Sequence, residues 1–464
     1  MMFPAYPDYR DSGVEWLEVV PKHWGVKPLR YLGRFRKGLT ITKADLTDTG
    51  IPCLNYGEVH SLYPFEVNQD IQALKCVPAE YLETEPSSCV GYGDFVFADT
   101  SEDLEGVGNF THVSASEPLF AGYHTIIYSL DSDVSSRFLA YCLESFAFRT
   151  QLRIRVKGVK VFSVTQEILR GGIACIPTTV EQTQIARFLD HETACIDALI
   201  EEQQRLIELL KEKRQAVISH AVTKGLDPTV PMKDSGVEWL GEVPAHWDVA
   251  RVKNIAKLES GHTPSKEFPE YWDGGDIPWV SLNDSKQLKV VDYIDETQYM
   301  ITALGMNNSS ARLLPARAVV FTRDATIGLA AITTREMCVS QHLIAWICNE
   351  NFMLPEYLLL VFYAMEEELG RFTFGATLKT IGMPDVRKLT TTVPPLTEQA
   401  EVVAEVSSKR GLISRLISEG ENGIALLQER RSALISAAVT GKIDVRSWRP
   451  PASAPIPELA QEAV

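Results

Sequence analysis

Hydrophobic residues recur at alternating steps of four and three along two long stretches of the chain, residues 176–227 and 393–444. This spacing is the heptad pattern of helices that pack along a narrow apolar seam. We therefore predict two long helices, each about 65 Å from end to end at 1.5 Å per residue. The predicted seam comprises Ile185, Leu189, Ile196, Leu199, Leu206, Leu210 and Val217 in the first helix and Val402, Val406, Ile413, Leu416, Leu427 and Leu434 in the second.

Shorter apolar runs lie before each of these stretches, and they occur at matching places. "IPCLNYGEV" from Ile51 corresponds to "IPWVSLNDS" from Ile277, and "YHTIIYSL" from Tyr123 corresponds to "QHLIAWIC" from Gln341. The runs are rich in β-branched and aromatic residues and are bounded by Gly, Pro, Asn and Asp, which is typical of buried strands joined by turns. With helical stretches between them, they predict a mixed α/β body in each half of the chain.

The two halves also share sequence, which identifies an internal duplication. "DSGVEWLEVVPKHW" begins at Asp11 and "DSGVEWLGEVPAHW" begins at Asp234, with eleven of fourteen positions identical. We call residues 11–24 and 234–247 the tryptophan segments. Residues 209–223 and 426–440 share ten of fifteen positions. Each half therefore consists of a tryptophan segment, a body and a long helix.

The fold class predicted from this organisation is α+β, with two mixed α/β domains separated by two long helices in a pseudo-twofold repeat. We expect the helices to pair antiparallel as a coiled coil, because the linker around Gly225, Pro228 and Pro231 is too short to run back along a whole helix. The predicted boundaries are 1–176 for the first tryptophan segment and domain, 177–225 for the first helix, 226–231 for the linker, 232–393 for the second segment and domain, 394–442 for the second helix, and 443–464 for a flexible tail.

Composition narrows the classes of protein that fit. The 464 residues contain no apolar run near the roughly 20 residues that a membrane helix needs, so we predict a cytoplasmic protein without a membrane partner. Eight cysteines without a CxxC pair suggest neither a zinc site nor a disulfide framework. We interpret them as reduced thiols.

The charge distribution gives two opposing indications. The formal net charge of −16 argues against nucleic-acid binding, which depends on Lys and Arg. Residues 27–43 and 149–160, however, are basic stretches that contain no acidic residue. A solvated basic face would explain either stretch alone. Two of them within one otherwise acidic segment favour a surface for a polyanion.

Sequence motifs for catalysis are absent. The chain has no GxxxxGK[ST] phosphate loop, no HExxH, no GxSxG and no Asn-Pro-Pro-aromatic box of adenine methyltransferases. We interpret His23 and His246, which recur in the tryptophan segments, as packing residues, and His124 and His342 as buried, hydrogen-bonded strand residues. Glu181, Gln182, Glu398 and Gln399 suit the first turns of the long helices. These observations favour a non-catalytic binding protein with no catalytic residue, metal or cofactor of its own.

Several motifs together resemble the specificity subunit of type I restriction-modification systems. They are the two tryptophan segments, "SGHTPS" from Ser260, "VVFTRDATIG" from Val319, "QHLIAWI" from Gln341, and "VPPLTEQ" from Val393 leading into a long helix. The first half departs from this pattern, with "RKGLTITK" in place of "ESGHTPSK" and "FVFADTSEDLEGVG" in place of "VVFTRDATIG". Its DNA-reading loops are therefore harder to place.

The resemblance implies a DNA-binding function and a set of partners. Each body would be a target recognition domain that reads one half of a bipartite, asymmetric site in double-stranded DNA, with the helices setting the gap. The helices would dock two modification subunits, which methylate adenine with S-adenosylmethionine; two restriction subunits, using ATP and Mg, would join a complete restriction complex. Two alternatives remain open: a fused type II-like nuclease or methyltransferase recognition module, and a coiled-coil scaffold that binds only proteins.

The candidate DNA-reading residues are polar and basic side chains in the matched loops. Arg favours guanine and Asn favours adenine through paired hydrogen bonds in the major groove. The candidates are Lys37, Thr40, Thr42, Lys157 and Lys160 in the first domain and His262, Thr263, Ser265, Asn283, Arg323, Thr326, Thr377 and Lys379 in the second.

Overall fold

The structure, a computed structural model, describes residues 3–68, 72–115, 117–374 and 379–451. The chain divides into two compact units. Unit 1 contains the residues up to Gln203 together with those from Gly423 onward, and unit 2 contains Gln204–Asn422. Each unit thus holds one tryptophan segment, one body and parts of both long helices.

Unit 1 is built around a five-stranded sheet and a four-stranded sheet. In spatial order the first comprises Gly33–Lys37, Thr125–Leu130, Phe95–Ala98, Phe110–Val113 and Phe65–Val67, and the second comprises Cys76–Val77, Ile51–Leu54, Leu119–Ala121 and Cys89–Val90. Three strand pairs complete it: Tyr9–Asp11 with Val19–Pro21, Gly25–Pro28 with Ile173–Ile176, and Thr100–Ser101 with Phe162–Ser163. The shorter α-helices are Tyr81–Thr84, Ser136–Glu144, Phe146–Arg153 and Gln166–Arg170.

Unit 2 repeats this plan with a five-stranded and a three-stranded sheet. The first comprises Ala256–Ser260, Leu343–Cys348, Val319–Thr322, Ala330–Thr333 and Tyr293–Ile294, and the second comprises Met300–Ile301, Ile277–Val280 and Cys338–Val339. Its strand pairs are Met232–Asp234 with Glu242–Pro244, Asp248–Arg251 with Thr390–Val393, and Thr373–Phe374 with Thr380–Ile381. The shorter α-helices are Val252–Ile255, Ser285–Leu288, Ala303–Asn307, Pro355–Ala364, Glu366–Arg371 and Met383–Val386.

The two five-stranded sheets confirm the predicted mixed α/β repeat. Both have the same strand order, and in both only the last pair is parallel, Phe65–Val67 with Phe110–Val113 and Tyr293–Ile294 with Ala330–Thr333. The continuous apolar runs of these strands lie in buried cores because a helix covers one face of each sheet, as Pro355–Ala364 does in unit 2.

The tryptophan segments connect each body to the start of a long helix. Trp24 and Trp247 are buried. His23 contacts both carboxylate oxygens of Glu181 at 2.9 Å, while His246 and the indole N–H of Trp247 contact Glu398 at 2.9 and 2.8 Å. Both glutamates lie in the first turn of a long helix, as predicted.

The long helices run from Thr179 to Lys224 and from Leu396 to Val439. Their buried positions follow a different period from the predicted seam. Ile185, Ile196, Ile207 and Ile218 are buried at steps of eleven residues in the first helix, and the second helix buries Val402, Ile413 and Ile435 and partly buries Ile424, again at steps of eleven.

The heptad assignment was therefore wrong at three positions: Leu199, Leu206 and Leu416 are exposed. A strict heptad assumes 3.5 residues per turn and drifts by about 20° per heptad from the face of a straight α-helix, whereas eleven residues complete three turns of about 3.67 residues. The other predicted seam positions are buried, except that Leu210, Val217, Leu427 and Leu434 are half-buried.

The predicted flexible tail is also wrong for its first residues, which pack in unit 1. Val445 is buried, and the ring of Trp448 lies 5.3 Å from that of Phe188 in an edge-to-face arrangement. The backbone N–H of Asp444 donates to the carbonyl of Pro4 at 2.7 Å. Apolar burial and backbone pairing therefore order a segment whose Pro and Ala content indicated mobility.

Within the described residues, no helix combines the length and the apolar character that crossing a membrane requires.

Neighbouring residues of the first helix test the eleven-residue period directly. Ile207 is 5% exposed and Leu206 is 47% exposed. We expect Ile207→Ala to lower the free energy of unfolding by about 2–5 kcal/mol, because a buried side chain is removed, and Leu206→Ala to change it by less than about 0.5 kcal/mol. Urea denaturation of the two variants measures both values. A larger loss of unfolding free energy for Leu206→Ala than for Ile207→Ala would support the heptad seam instead.

Candidate nucleic-acid interface

Four chain segments meet near the strand ends in each unit, and backbone hydrogen bonds join them in the same way. In unit 2 the N–H of His262 donates to Val339, that of Arg323 to His342, and that of Ile381 to Arg323. In unit 1 the corresponding donors are Leu39 to Ala121, Asp99 to His124, and Val164 to Asp99. We call these places the loop junctions of units 1 and 2.

A glycine allows the close approach of backbones at each junction. A Cβ at Gly261 would lie 1.9 Å from the carbonyl oxygen of Val339, and a Cβ at Gly38 would lie 2.1 Å from Thr125 Oγ1 and 2.3 Å from the oxygen of Gly122. All three distances are far below van der Waals contact, so the shared glycine of "RKGLT" and "ESGHT" is a steric requirement. The residues that flank this glycine differ between the two units, but the backbone that carries them is equivalent.

A continuous chain of polar side chains crosses the junction of unit 2. The Thr263 hydroxyl donates to Gln341 Oε1, and the Gln341 amide lies 3.3 Å from His342 Nε2. His342 Nδ1 lies 2.8 Å from Asp324 Oδ2, and the Thr380 hydroxyl donates to Asp324 Oδ1. With the proton of a neutral His342 on Nδ1, every link pairs a donor with an acceptor. The network fixes the outward edges of Gln341 and His342.

The junction of unit 1 carries different side chains on the same positions. His124 and Asp99 are equivalent to His342 and Arg323, and His124 Nδ1 lies 3.2 Å from Asp99 Oδ1. Thr40 occupies the position of Thr263 and is exposed. The two junctions thus present different hydrogen-bonding groups from one scaffold.

Of the residues predicted in unit 2, the structure brings Thr263, Arg323 and Lys379 together at the junction. Asn283 is exposed and lines a neighbouring cavity. The carbonyls of His262 and Ser265 accept hydrogen bonds from the indoles of Trp279 and Trp272, so these two residues also hold the loop in place. Thr326 lies exposed in the turn after Arg323. Thr377 lies outside the described residues.

Of the residues predicted in unit 1, Lys37 and Thr40 lie exposed at the junction. Thr42 has a structural role: its backbone N–H and hydroxyl both bond to Asp45, 2.7 and 2.9 Å away, capping the short helix Lys43–Asp45. Lys157 and Lys160 are exposed in the segment before Phe162–Ser163, the strand that pairs beside Asp99.

The predicted basic surface of unit 1 is partly neutralised. Arg36 pairs with Asp94 at 3.3 Å and Arg149 with Glu144 at 2.7 Å. Lys37, Lys157 and Lys160 form no ion pair within the described part of the chain. These three side chains remain available to phosphate groups.

In unit 2, one carboxylate forms ion pairs with two cations beside the junction. Burial alone would raise the pKa of Glu259, but hydrogen bonds and charge from Lys257 and Arg312 outweigh it and hold the pKa below its usual value. Glu259 lies on the strand that leads into the Gly261 loop. Lys257 and Arg312 are thereby tied to a carboxylate at 2.6 Å.

Four residues of the junction, Gln341, His342, Asp324 and Thr380, were not among the predicted site residues. The interpretation of His124 and His342 as buried was wrong, because each stands just before its strand and keeps a partly exposed ring. The recurrence of His124 and His342 at matching places in the two halves was the sequence signal that could have marked them as site residues.

Comparisons with known proteins connect this arrangement to one family. Residues 244–408 match the family described as "Type I restriction modification DNA specificity domain". The MjaIX specificity subunit of Methanocaldococcus jannaschii is 28% identical over 39% of this chain and 42% of its own length. The StySPI specificity subunit of Salmonella potsdam is 21% identical over 93% of this chain and 91% of its own. By these matches the chain is similar to the specificity subunits of type I restriction enzymes.

The fold of this chain has a solved counterpart. The HsdS subunit from Thermoanaerobacter tengcongensis superimposes with a TM-score of 0.53 at 14% identity, covering 91% of this chain and 98% of that one. The chain spans less than half the length of the M. jannaschii relative.

The contacts of Asp324 predict a structural effect of its removal. We expect Asp324→Ala to lower the free energy of unfolding by about 1.5–3 kcal/mol, because a nearly buried carboxylate that accepts bonds from His342 and Thr380 is lost. Asp276→Ala, at an exposed position of the same unit, is the matched control and should change stability by less than about 0.5 kcal/mol. Equal denaturation midpoints for both variants would contradict the network.

Proposed function

We propose that this chain is a DNA specificity subunit of a type I restriction-modification system and that it reads a bipartite, asymmetric site in double-stranded DNA, each loop junction contacting one half. The observation that carries the proposal is the pair of junctions: identical backbone bonding, with His124 and Asp99 in one unit and His342 and Arg323 at the same positions in the other. Because bases are distinguished by the hydrogen-bonding groups presented to them, equivalent loops with different groups select different bases.

We further propose that the long helices pair antiparallel as a coiled coil and set the gap between the half-sites. Two sets of contacts support this direction. In unit 1, Asp197 of the first helix pairs with Arg431 of the second at 2.9 Å. In unit 2, Ile218 and Val222 share an apolar core with Val402 and Val406. In each unit, one helix contributes residues from its first half and the other contributes residues from its second half. Half-site spacing in DNA-binding proteins follows the spacing of their reading elements.

The assembly we propose supplies the chemistry from other chains. Two modification subunits would dock on the helices and carry S-adenosylmethionine, and two restriction subunits would bring ATP and Mg to a complete restriction complex. Exposed leucines on the helices, including Leu199, Leu206 and Leu416, offer apolar surface for docking. Partner subunits would also contribute phosphate contacts, which offsets the acidic charge of this chain.

The presence of the subunit should determine a methylation pattern. We expect cells with the gene to show adenine methylation at a split motif that disappears when the gene is deleted, because no other chain of the complex would choose the site. Genome-wide methylation sequencing measures it. An unchanged methylome would favour the scaffold alternative, and methylation or cleavage by the purified chain alone would favour the fused-enzyme alternative.

Arg323 should influence one half of that motif only. We expect Arg323→Ala to relax selection at one position of one half-site, with a loss of about 1–3 kcal/mol of discrimination, and to leave the other half unchanged. Arg335→Ala is the matched control, since Arg335 lies exposed in the same unit beside Asp295 and outside the junction. Methylation motifs of cells carrying each variant are compared. If both halves of the methylation motif changed, Arg323 would not be a residue that reads one half-site.

A further inference from the structure

A cavity of about 850 Å³ opens beside the loop junction of unit 2. Its lining includes Trp272, Trp279, Asn283 and Tyr299, and it shares Gln341 and His342 with the junction. Pockets of about 300–1,000 Å³ enclose ligands of drug-like size, and a nucleoside is of that size.

The concave shape limits which part of a nucleic acid can enter. The grooves of a duplex are themselves concave and receive protruding helices, strands or side chains. A cavity receives only what protrudes from the nucleic acid, which is a phosphate group or a base that has left the stack.

The charges of the lining do not favour a phosphate. Lys266 and Asp273 line the cavity with opposite charges, and His342 is bonded to Asp324. Phosphate sites instead gather several cations or backbone N–H groups. The lining suits a neutral ligand.

The aromatic walls suit a flat ring. Trp272 and Trp279 meet edge to face, with centroids 5.1 Å apart, and their indole N–H groups are bonded to the carbonyls of Ser265 and His262 at 3.1 Å, which fixes both rings. Tyr299 is 44% exposed and offers its ring at the same cavity. Bases stack on such rings whatever their sequence, because every base has a π face.

The polar groups of the lining suit the edge of a base. Asn283, Gln298 and Gln341 supply neutral donors and acceptors. The Ser340 hydroxyl is buried, with the residue 1% exposed, and has no hydrogen-bond partner among the described residues. A buried polar atom of this kind is normally bonded, so Ser340 points to a ligand that carries a hydrogen-bonding edge.

Unit 1 carries different side chains at two of the lining positions. Asn55 is fully buried, and a Cβ at Gly122 would lie 1.9 Å from its Oδ1. Ser281 and Ser340 stand at these positions in unit 2. The lining therefore differs in sequence between the two copies of the repeat.

We propose that this cavity of unit 2 binds one unstacked nucleobase of the DNA held at the loop junction. The inference rests on the proposed function, since Gln341 and His342 belong to both sites. The base stacks on Tyr299 or on a tryptophan, and its edge bonds to Asn283, Gln298 or Ser340.

The test measures binding of the full chain to two mixed-sequence duplexes that differ by one unpaired 2-aminopurine nucleotide. We expect the bulged duplex to bind about tenfold or more tightly than the paired one, because the bulge removes the need to unpair a base, and we expect the 2-aminopurine emission to be quenched by stacking. Tyr299→Ala should weaken binding of the bulged duplex by about five- to a hundredfold, the loss of one base–aromatic stack. Tyr299→Phe should retain it.

Phe352→Ala is the matched control, because Phe352 is an exposed aromatic residue of unit 2 outside the cavity; it should leave both affinities unchanged. Equal affinity of the wild-type chain for the two duplexes, or a preference that Tyr299→Ala retains, would overturn the base pocket and leave the proposed DNA reading standing. Failure to bind either duplex would count against both.

Discussion

One strand pairing holds each unit of this chain together. The strand after each tryptophan segment pairs with the strand that precedes a long helix, Gly25–Pro28 with Ile173–Ile176 and Asp248–Arg251 with Thr390–Val393. Next to it, Gln182 and Gln399 bond to the loops before the helices Ser136–Glu144 and Pro355–Ala364. These bonds fix where each long helix begins relative to its body. In each unit, the body that carries the loop junction is therefore rigidly connected to the start of its long helix.

Much of the fold could be predicted from the sequence, because the duplication repeats every local signal. Apolar runs located the strands, and the matched motifs placed candidate residues in the loops beside them. The phase of the long helices could not be assigned in the same way. Heptad and eleven-residue patterns agree at Ile185 and Ile196 and separate only at Leu199 and beyond, so the residues themselves fit both patterns. The course of the helix axis decides which pattern is buried. A left-handed supercoil keeps a heptad seam on one face, whereas a helix with about 3.67 residues per turn buries the eleven-residue pattern.

The candidate site could be predicted only in part for a similar reason. Thr263 and Arg323 lie in loops that the repeat marks as equivalent. The partnership of Asp324 with His342 and Thr380 joins residues that only strand pairing brings together, and no local pattern indicates it. Charge counting likewise treated Arg36 and Arg149 as available cations, whereas the folded chain pairs them with Asp94 and Glu144.

The division of the chain has a consequence for biosynthesis. Unit 2 is one continuous stretch, Gln204–Asn422, whereas unit 1 needs Ile435, Val439 and Val445 to complete a core begun by Trp24 and Leu29. On the ribosome, domains usually fold in order from the N-terminus. Here the later stretch is complete first, and the earlier one keeps apolar surface uncovered until Ile435, Val439 and Val445 emerge. Uncovered apolar surface of this kind makes a nascent chain prone to aggregation while unit 2 is translated.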